Sequence, residues 1–373
     1  MKIAILDFTM PKTHRRFNLC NFEVLSQISD LYIVNSAHYY DSLDSQKNVY
    51  LMDTDIAEYS KKHMVENRGM LSSIVGRMVI IHNIRENLKL FKKFKDVRFD
   101  YILIMGYEVM TFAVFRFCLP KNIPIYIFQH QQINELENRT KYFLFSTYKN
   151  KVHHIVLEEI FRDYLVQKIK VKHVYVVHHF NGEREAPIPR YSNKFILGIS
   201  STNDEGWIKK MIEEEKKNGF LINCKLKMRL RSHIYTFKDS NLVVDNQYFS
   251  DAEYDKYFER AAAVVSLPSE TFYNRLSGQV LDAILAGKIV ISLATPLIRE
   301  YKKMAPTLFV IFENIKELQE YIKKQDWVIH QDDLRYMKYR HSKNAAYENY
   351  RRIFRKSRRR TGDKGEKCEN KYF

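Results

Sequence analysis

The clearest chemistry in the chain lies in a short stretch, Arg275-Leu276-Ser277-Gly278, followed by Asp282. A strand-like apolar run from Ala261 to Leu267 is stopped by Pro268, and Val280, Leu281, Ile284 and Leu285 then recur at helical spacing up to Gly287. Ser277 therefore falls at an N-cap, where its hydroxyl can take a free backbone N–H, and Gly278 lets a ligand approach the first turn without a Cβ in the way. A helix start of this kind attracts phosphate. Arg275 adds a fork of donors suited to a diphosphate, and Asp282, one turn further in on the same face, can accept hydrogen bonds from a ribose. The set fits a nucleoside diphosphate. It also fits a plain helix start, with Ser277 as cap, Gly278 easing packing and Asp282 favoured by the dipole.

Further candidate groups stand on strands or where strands end. Ile123-Pro-Ile-Tyr-Ile-Phe runs into Gln129 and His130, and His130 at a strand end can contact a sugar hydroxyl or assist charge on a leaving group, or simply be structural. Ser201 and Thr202 belong to a hydroxyl-rich loop between the strand Phe195 to Ile199 and a helix from Trp207, a place where backbone N–H groups and hydroxyls hold phosphate or make ordinary caps. Lys225, Lys227, Arg229 and Arg231 alternate with Leu226, Met228 and Leu230, so one face is basic: either this is a solvated edge strand or its last arginines point into a cleft, and we read the edge for Lys225 and Lys227 and the cleft for Arg229 and Arg231. His14, Arg15 and Arg16 follow the first strand and can meet an anion or be a solvated loop. The pair His178-His179 has no third metal ligand at a sensible spacing, so we read it as lining a cleft or turning the chain.

The elements that position these residues alternate strand and helix. Strands are expected at Lys2 to Phe8, Asp30 to Asn35, Val49 to Met52, Tyr101 to Met105, Pro124 to Gln129, His154 to Leu157 and Val174 to Val177, with helices between them, and the pattern restarts at Phe195. The stretch from Gly182 to Ser192 has two prolines and few apolar residues and reads as a linker. Ser250-Asp-Ala-Glu253 predicts a capping box for a helix from Tyr254. The expected organisation is an N-terminal Rossmann-like unit over 1–181, a linker over 182–193, a second Rossmann-like unit over 194–330, one C-terminal helix over 331–356 and a basic tail over 357–373.

Composition narrows the function. A chain of 373 residues with 45% hydrophobic side chains is long enough for about two cored domains and is not a disordered polymer. The formal net charge of +17 points to acidic partners. Between Arg351 and Phe373 there are ten basic residues against three acidic ones, a cluster that can hold an anionic membrane surface or be a solubilising tail. Four separated cysteines give no disulfide or zinc spacing, the start reads as a strand without a signal-peptide pattern, and no apolar run is long enough for a membrane span, so a cytoplasmic protein is expected. The first strand–helix turn lacks GxGxxG, which argues against a dinucleotide-dependent dehydrogenase. There is no helix-turn-helix, zinc or RNP-type motif, and nucleic acid is not an expected partner.

Taken together, the pattern resembles the GT-B glycosyltransferases, especially the retaining "group 1" type of bacterial polysaccharide synthesis. The resemblance is carried by Asp282-Ala-Ile-Leu-Ala-Gly-Lys-Ile-Val-Ile291, by Arg275-Leu-Ser-Gly278 and by Tyr126-Ile-Phe-Gln-His130. It implies an α/β fold of two Rossmann-like domains facing across a cleft, and transfer of a sugar from a nucleoside diphosphate donor to a carbohydrate or lipid-linked acceptor. Asp282 is similar to the ribose-binding acid of that family, and Asn274 stands where the family has its first acid; Asn274 can bond a sugar hydroxyl but carries no charge. The implied site has His130 and Asn274 at the sugar, with Ser201, Thr202, Arg229, Arg231, Arg275, Ser277, Gly278 and Asp282 on the donor. With no DxD-type motif in an obvious loop, neither metal nor cofactor is expected. A nucleotide-sugar 2-epimerase on the same fold is the alternative enzyme, and a basic nucleic-acid-binding protein a third reading.

Overall fold

Long apolar runs buried on both faces make parallel strands, and the chain uses them twice. The computed structural model describes residues 1–9, 15–63, 70–130, 132–180, 195–269, 275, 277–324 and 327–360. Asn274, the proposed linker and most of the basic tail lie outside the described residues.

The first half contributes strands β1 (Lys2–Asp7), β2 (Asp30–Ser36), β3 (Val49–Thr54), β4 (Tyr101–Gly106), β5 (Ile125–Phe128), β6 (His153–Val156) and β7 (Val174–Val176). Its helices are α1 (Arg15–Leu25), α2 (Ile56–His63), α3 (Met70–Lys93), α4 (Val109–Phe115), α5 (Gln132–Glu135), α6 (Arg139–Ser146) and α7 (Glu159–Asp163). The second half contributes β8 (Phe195–Gly198), β9 (Lys227–Arg231), β10 (Phe237–Lys238), β11 (Leu242–Asp245), β12 (Ala263–Ser266), β13 (Ile289–Leu293) and β14 (Phe309–Phe312). With them come α8 (Glu205–Asn218), α9 (Phe220–Asn223), α10 (Asp251–Arg260), α11 (Gly278–Leu285), α12 (Pro296–Met304), α13 (Ile315–Lys324), α14 (Gln331–Arg340) and α15 (Lys343–Arg360).

The strands form two seven-stranded sheets, in the orders β3-β2-β1-β4-β5-β6-β7 and β10-β11-β9-β8-β12-β13-β14. Every pairing is parallel except that of β10 with β11. In each sheet the winding reverses once, between β1 and β4 and between β8 and β12, and ligands of open α/β sheets bind beyond the carboxyl ends of the strands at such a point. Gly198, the last residue of β8, marks how tightly that point is packed: a Cβ there would lie 2.4 Å from Val265 Cγ1 and 2.7 Å from Leu230 Cδ2. The capping box expected at Ser250 and Glu253 is present and starts α10.

Two expectations are corrected. The strand containing Arg229 and Arg231 is not at an edge, because β9 lies between β11 and β8. The single C-terminal helix is two helices: Ser342 interrupts the run, its hydroxyl accepting from Ala345 N at 3.1 Å to cap α15. β10, β14 and α12 were not anticipated.

The break lets α15 return to the first sheet. Ala346, Tyr350, Ile353 and Phe354 are buried in one apolar cluster with Ile3, Phe22, Tyr101 and Tyr126. A second cluster runs from Ile104, Val156 and Phe161 of the first half to Leu297, Tyr301 and Met337 of the second. Beside it lies a buried polar knot. Glu158, 1% exposed at its side chain, accepts from Arg340 at 2.5 Å and from the Tyr301 hydroxyl at 2.5 Å. Arg340 also pairs with Glu159, whose carboxylate meets His178 at 2.9 Å, and His341 bonds the His179 carbonyl at 2.7 Å. Burial pushes the Glu158 carboxyl up, and the charges of Arg340 and His178 oppose it. Burial acts in the same sense on Glu159, but His178 and Arg340 outweigh it and hold that carboxyl well below the usual range.

Removing the cation strands a buried carboxylate. Arg340→Met is expected to lower unfolding free energy by about 3–5 kcal/mol in denaturant titrations, and adding Glu158→Gln to recover part of that loss. A change below about 0.5 kcal/mol, the range of ordinary surface substitutions, would show that the knot does not join the halves.

Candidate donor site at the switch point of the second sheet

The loops after β8 and β12 meet at the reversal of the second sheet and open on a cavity of about 460 Å³. The second half lines it with Ser200, Ser201, Thr202, Arg275, Ser277, Gly278, Gln279 and Thr295, among others, and the first half with Arg16, Phe17, His130 and His179. Six of the ten residues of the implied site are thus brought together, His130, Ser201, Thr202, Arg275, Ser277 and Gly278, and Arg16 and His179, also singled out in the sequence, join them.

The start of α11 is built to receive something. Ser277 stands at the N-cap with extended backbone, as its position in the sequence suggests, but its hydroxyl makes no capping hydrogen bond. The amides of the first turn are therefore not consumed by that side chain, and the positive end of the helix faces the cavity. A Cβ on Gly278 would meet nothing within 4 Å, so this glycine gives open approach rather than packing. Gln279 turns inward and donates to Leu197 O at 3.2 Å, tying the helix start to the end of β8. At the other end Gly287, with φ of 65°, closes the helix: its N–H reaches Ile284 O and the Lys288 N–H reaches Ala283 O.

Asp282 sits one turn inward of Gly278 and is 6% exposed. Its Oδ2 accepts from the Tyr254 hydroxyl at 2.9 Å, and its Oδ1 lies 3.9 Å from Arg16 Nη1 of the first half. Arg275 is half-buried; burial disfavours its charge and Glu135, from α5 across the cleft, favours it. Glu135 itself accepts from Lys141 at 3.0 Å.

Thr295 supplies a second helix start that sequence reading missed. Its hydroxyl caps α12 by accepting from Ile298 N at 3.2 Å, with Pro296 in the first turn. The dipeptide Thr295-Pro296 was the available signal, since a capping threonine before a proline marks a helix start.

On the first half His130 is held by what surrounds it. Gln129, 1% exposed, turns into the core, where its amide nitrogen donates to the Tyr107 hydroxyl and to His154 Nδ1, both at 2.7 Å. With Nδ1 accepting, His154 carries its proton on Nε2 and gives it to Lys149 O at 2.8 Å. Because residues alternate along an extended chain, anchoring Gln129 inward turns His130 the other way, toward the cavity. Its ring stands edge-on to Phe17, centroids 4.6 Å apart, and Phe17 also contacts the His179 ring at 4.8 Å. His179 thus lines the cleft, one of the two roles its sequence allowed.

Arg229 and Arg231 do not line this cavity. Arg229 pairs with Asp245 at 2.6 Å and lies over the Tyr257 ring at 4.2 Å, while Arg231 is 2% exposed with its guanidinium 3.5 Å from the Tyr248 ring centre. Both are packed inside the second half, Arg229 on a carboxylate and a ring and Arg231 on a ring, away from the position their spacing suggested. Glu158, Glu159 and His178 bring three metal-ligating atoms within 4.8 Å of one another, with Arg340 already bonded to both carboxylates.

The sequence matches no protein-family model and no curated protein. Solved structures match over nearly the whole chain. Sucrose-phosphate synthase from Thermosynechococcus elongatus aligns with a TM-score of 0.63 at 10% identity, covering 96% of this chain and 100% of that one. TarM aligns at 0.61 and 12% identity, covering 95% and 98%, and HepE of Anabaena, solved in complex with UDP and glucose, at 0.59 and 11%, covering 95% and 100%. The likeness defines the class of architecture: the chain has the GT-B fold, two Rossmann-like halves facing across a cleft.

The anchoring of β5 has a pH signature. Burial holds His154 down to about 4 and His341 down to about 3, so both stay neutral in the folded protein, whereas the unfolded chain takes up protons below about pH 6.5. Stability should be full above that pH and fall as the pH drops from about 6.5 toward 4. Melting temperatures from pH 7 to 5 check this: His154→Gln should show a shallower decline than the parent, and an equal slope would contradict the neutral assignment.

Proposed function

We propose that this protein transfers a sugar from a nucleoside diphosphate donor to a carbohydrate or lipid-linked acceptor. The observation that carries the reading is the start of α11, uncapped by Ser277 and flanked by Arg275, opening on a cavity at the switch point with His130 opposite. Arg275 and the amides at Ser277 and Gly278 hold the diphosphate, Asp282 takes the ribose hydroxyls, Ser201 and Thr202 line the same pocket, and His130 meets the transferred sugar. Asn274 remains part of the proposal as a sugar contact. In the reaction the bond from the anomeric carbon to the diphosphate oxygen breaks and its electron pair stays on the diphosphate. The acceptor oxygen bonds to that carbon and its proton is released to solvent. Charge building on the leaving oxygen is met by Arg275 and a preorganised helix start, the kind of stabilisation that costs no reorganisation during the reaction. HepE of Anabaena, solved with UDP-glucose, shares the fold and supports this over epimerisation.

These groups can neutralise a diphosphate, and we propose turnover without a divalent metal. A panel of nucleotide sugars tests both statements. Transfer or slow donor hydrolysis should be seen with one of them, should persist in EDTA, and should fall at least about a hundredfold in Arg275→Ala/Asp282→Asn, the size of loss seen for one oxyanion donor. Gly278→Val, whose side chain enters open space, should fold normally and lose donor binding. Parental activity in both variants would sink the assignment, and loss in EDTA restored by a divalent ion would overturn the metal-free part.

A lipid-linked acceptor calls for a membrane surface, and we propose peripheral attachment. No described helix is long and apolar enough to cross a membrane. Ile74, Met78 and Ile81 are exposed at helical spacing on α3, with Arg77 and Arg85 exposed on the same face. Apolar residues with cations alone on one helical face suit an anionic bilayer. The tail over 357–373 adds charge. Co-sedimentation with phosphatidylglycerol vesicles should weaken both on deleting that tail and in Ile74→Ser/Met78→Ser/Ile81→Ser; undiminished binding in both would rule attachment by these segments out.

A further inference from the structure

The proposed donor site as described takes its charged groups from the second half, yet a cation from the first half reaches into it. Arg16, in the first turn of α1, lines the cavity together with Arg275, Ser277 and Gly278. Its side chain is about half exposed, and its Nη1 stands 3.9 Å from Asp282 Oδ1, an ion pair made across the cleft between α1 and α11. Asp282 is about one helical turn, roughly 5–6 Å along the axis, from Gly278, and Arg16 beside it lines the same cavity as that first turn. Phe17, the next residue, is wedged against both His130 and His179, which fixes the backbone that carries Arg16.

We infer that Arg16 is a donor-binding residue that exchanges partners: in the empty cleft it pairs with Asp282, and in the donor complex it moves to the diphosphate. The inference rests on the nucleotide reading above. Two guanidinium groups and two helix starts face one cavity there, and among the described residues Asp282 and Glu135 are carboxylates beside them. A diphosphate arriving at Gly278 offers Arg16 two anionic groups for planar, bidentate pairing, whereas its contact with Asp282 stands at the outer limit of an ion pair. The ribose hydroxyls then donate to the carboxylate that Arg16 leaves. Because Arg16 belongs to the first half and Gly278 to the second, the exchange makes donor affinity depend on how the halves face each other. The acceptor side of the cleft is thereby told whether donor is present.

Calorimetric binding of UDP, GDP, ADP, CDP and dTDP to the full-length protein tests this, with the corresponding nucleosides as controls. For the diphosphate that binds best, Arg16→Gln should weaken binding about tenfold or more, Arg16→Lys should recover part of the loss, and binding of the nucleoside should be unchanged. Arg16 is half exposed, so both variants are expected to melt with the parent. Unaltered diphosphate binding in Arg16→Gln, or equal losses for diphosphate and nucleoside, would overturn the exchange while leaving the nucleotide reading intact. Failure of the unsubstituted protein to bind any of the five would instead overturn that reading, and the exchange with it.

Discussion

The site exists only if two sheets hold a fixed attitude, and the buried carboxylate of Glu158 is what fixes it. This residue follows β6 in the first half, and its partners Tyr301 and Arg340 come from α12 and α14 of the second. A carboxylate removed from water is costly unless paired, and this one is satisfied only while the halves are together. Its neighbours Leu157 and Phe161 line the cavity, as do Leu297 and Ile298 of α12. The same helix therefore closes the polar knot and presents a start to the proposed diphosphate position. Arg340 and His341 end α14, and the Ser342 cap sends α15 back onto the first sheet. The second half is thus fastened at two places, a polar one beneath the cleft and an apolar one behind it.

Above that knot, the chemistry comes from what secondary structure leaves unfinished. Both helix starts at the cavity present backbone amides where strands end, and they differ in one respect. Thr295 caps its helix and Ser277 does not, so α11 is the start with its donors least spoken for. On the opposite wall a polar side chain is buried to aim another: Gln129 is spent on Tyr107 and His154 so that His130 can face outward.

Much of this was legible in the sequence. Strands buried on both faces read as unbroken apolar runs, which is why β1, β4, β12 and β13 and the two-unit pattern could be traced, and local rules sufficed for the capping box at Ser250 and the glycine end at Gly287. The loop-to-helix stretch from Arg275 to Asp282 was legible too, because N-cap chemistry depends on neighbours in sequence. What stayed hidden depends on distance in the chain or on strand order. Alternation along Lys225 to Arg231 showed a basic face, but whether that strand is an edge is set by the pairing of β11 with β9. The pairing of Glu158 with Arg340 spans 182 positions and leaves no mark in spacing. The helical rhythm ran through His341 and Ser342, so the break that redirects α15 was invisible. Thr295 was legible and overlooked.

The central claim is that a nucleoside diphosphate sugar lies across the start of α11. A structure of the protein crystallised with the nucleotide sugar that supports turnover tests this most directly. The account requires diphosphate density at the amides of Ser277 and Gly278 beside Arg275, ribose hydroxyls on Asp282 and the sugar reaching toward His130. Ordered donor anywhere else, with the start of α11 facing only water, would contradict it.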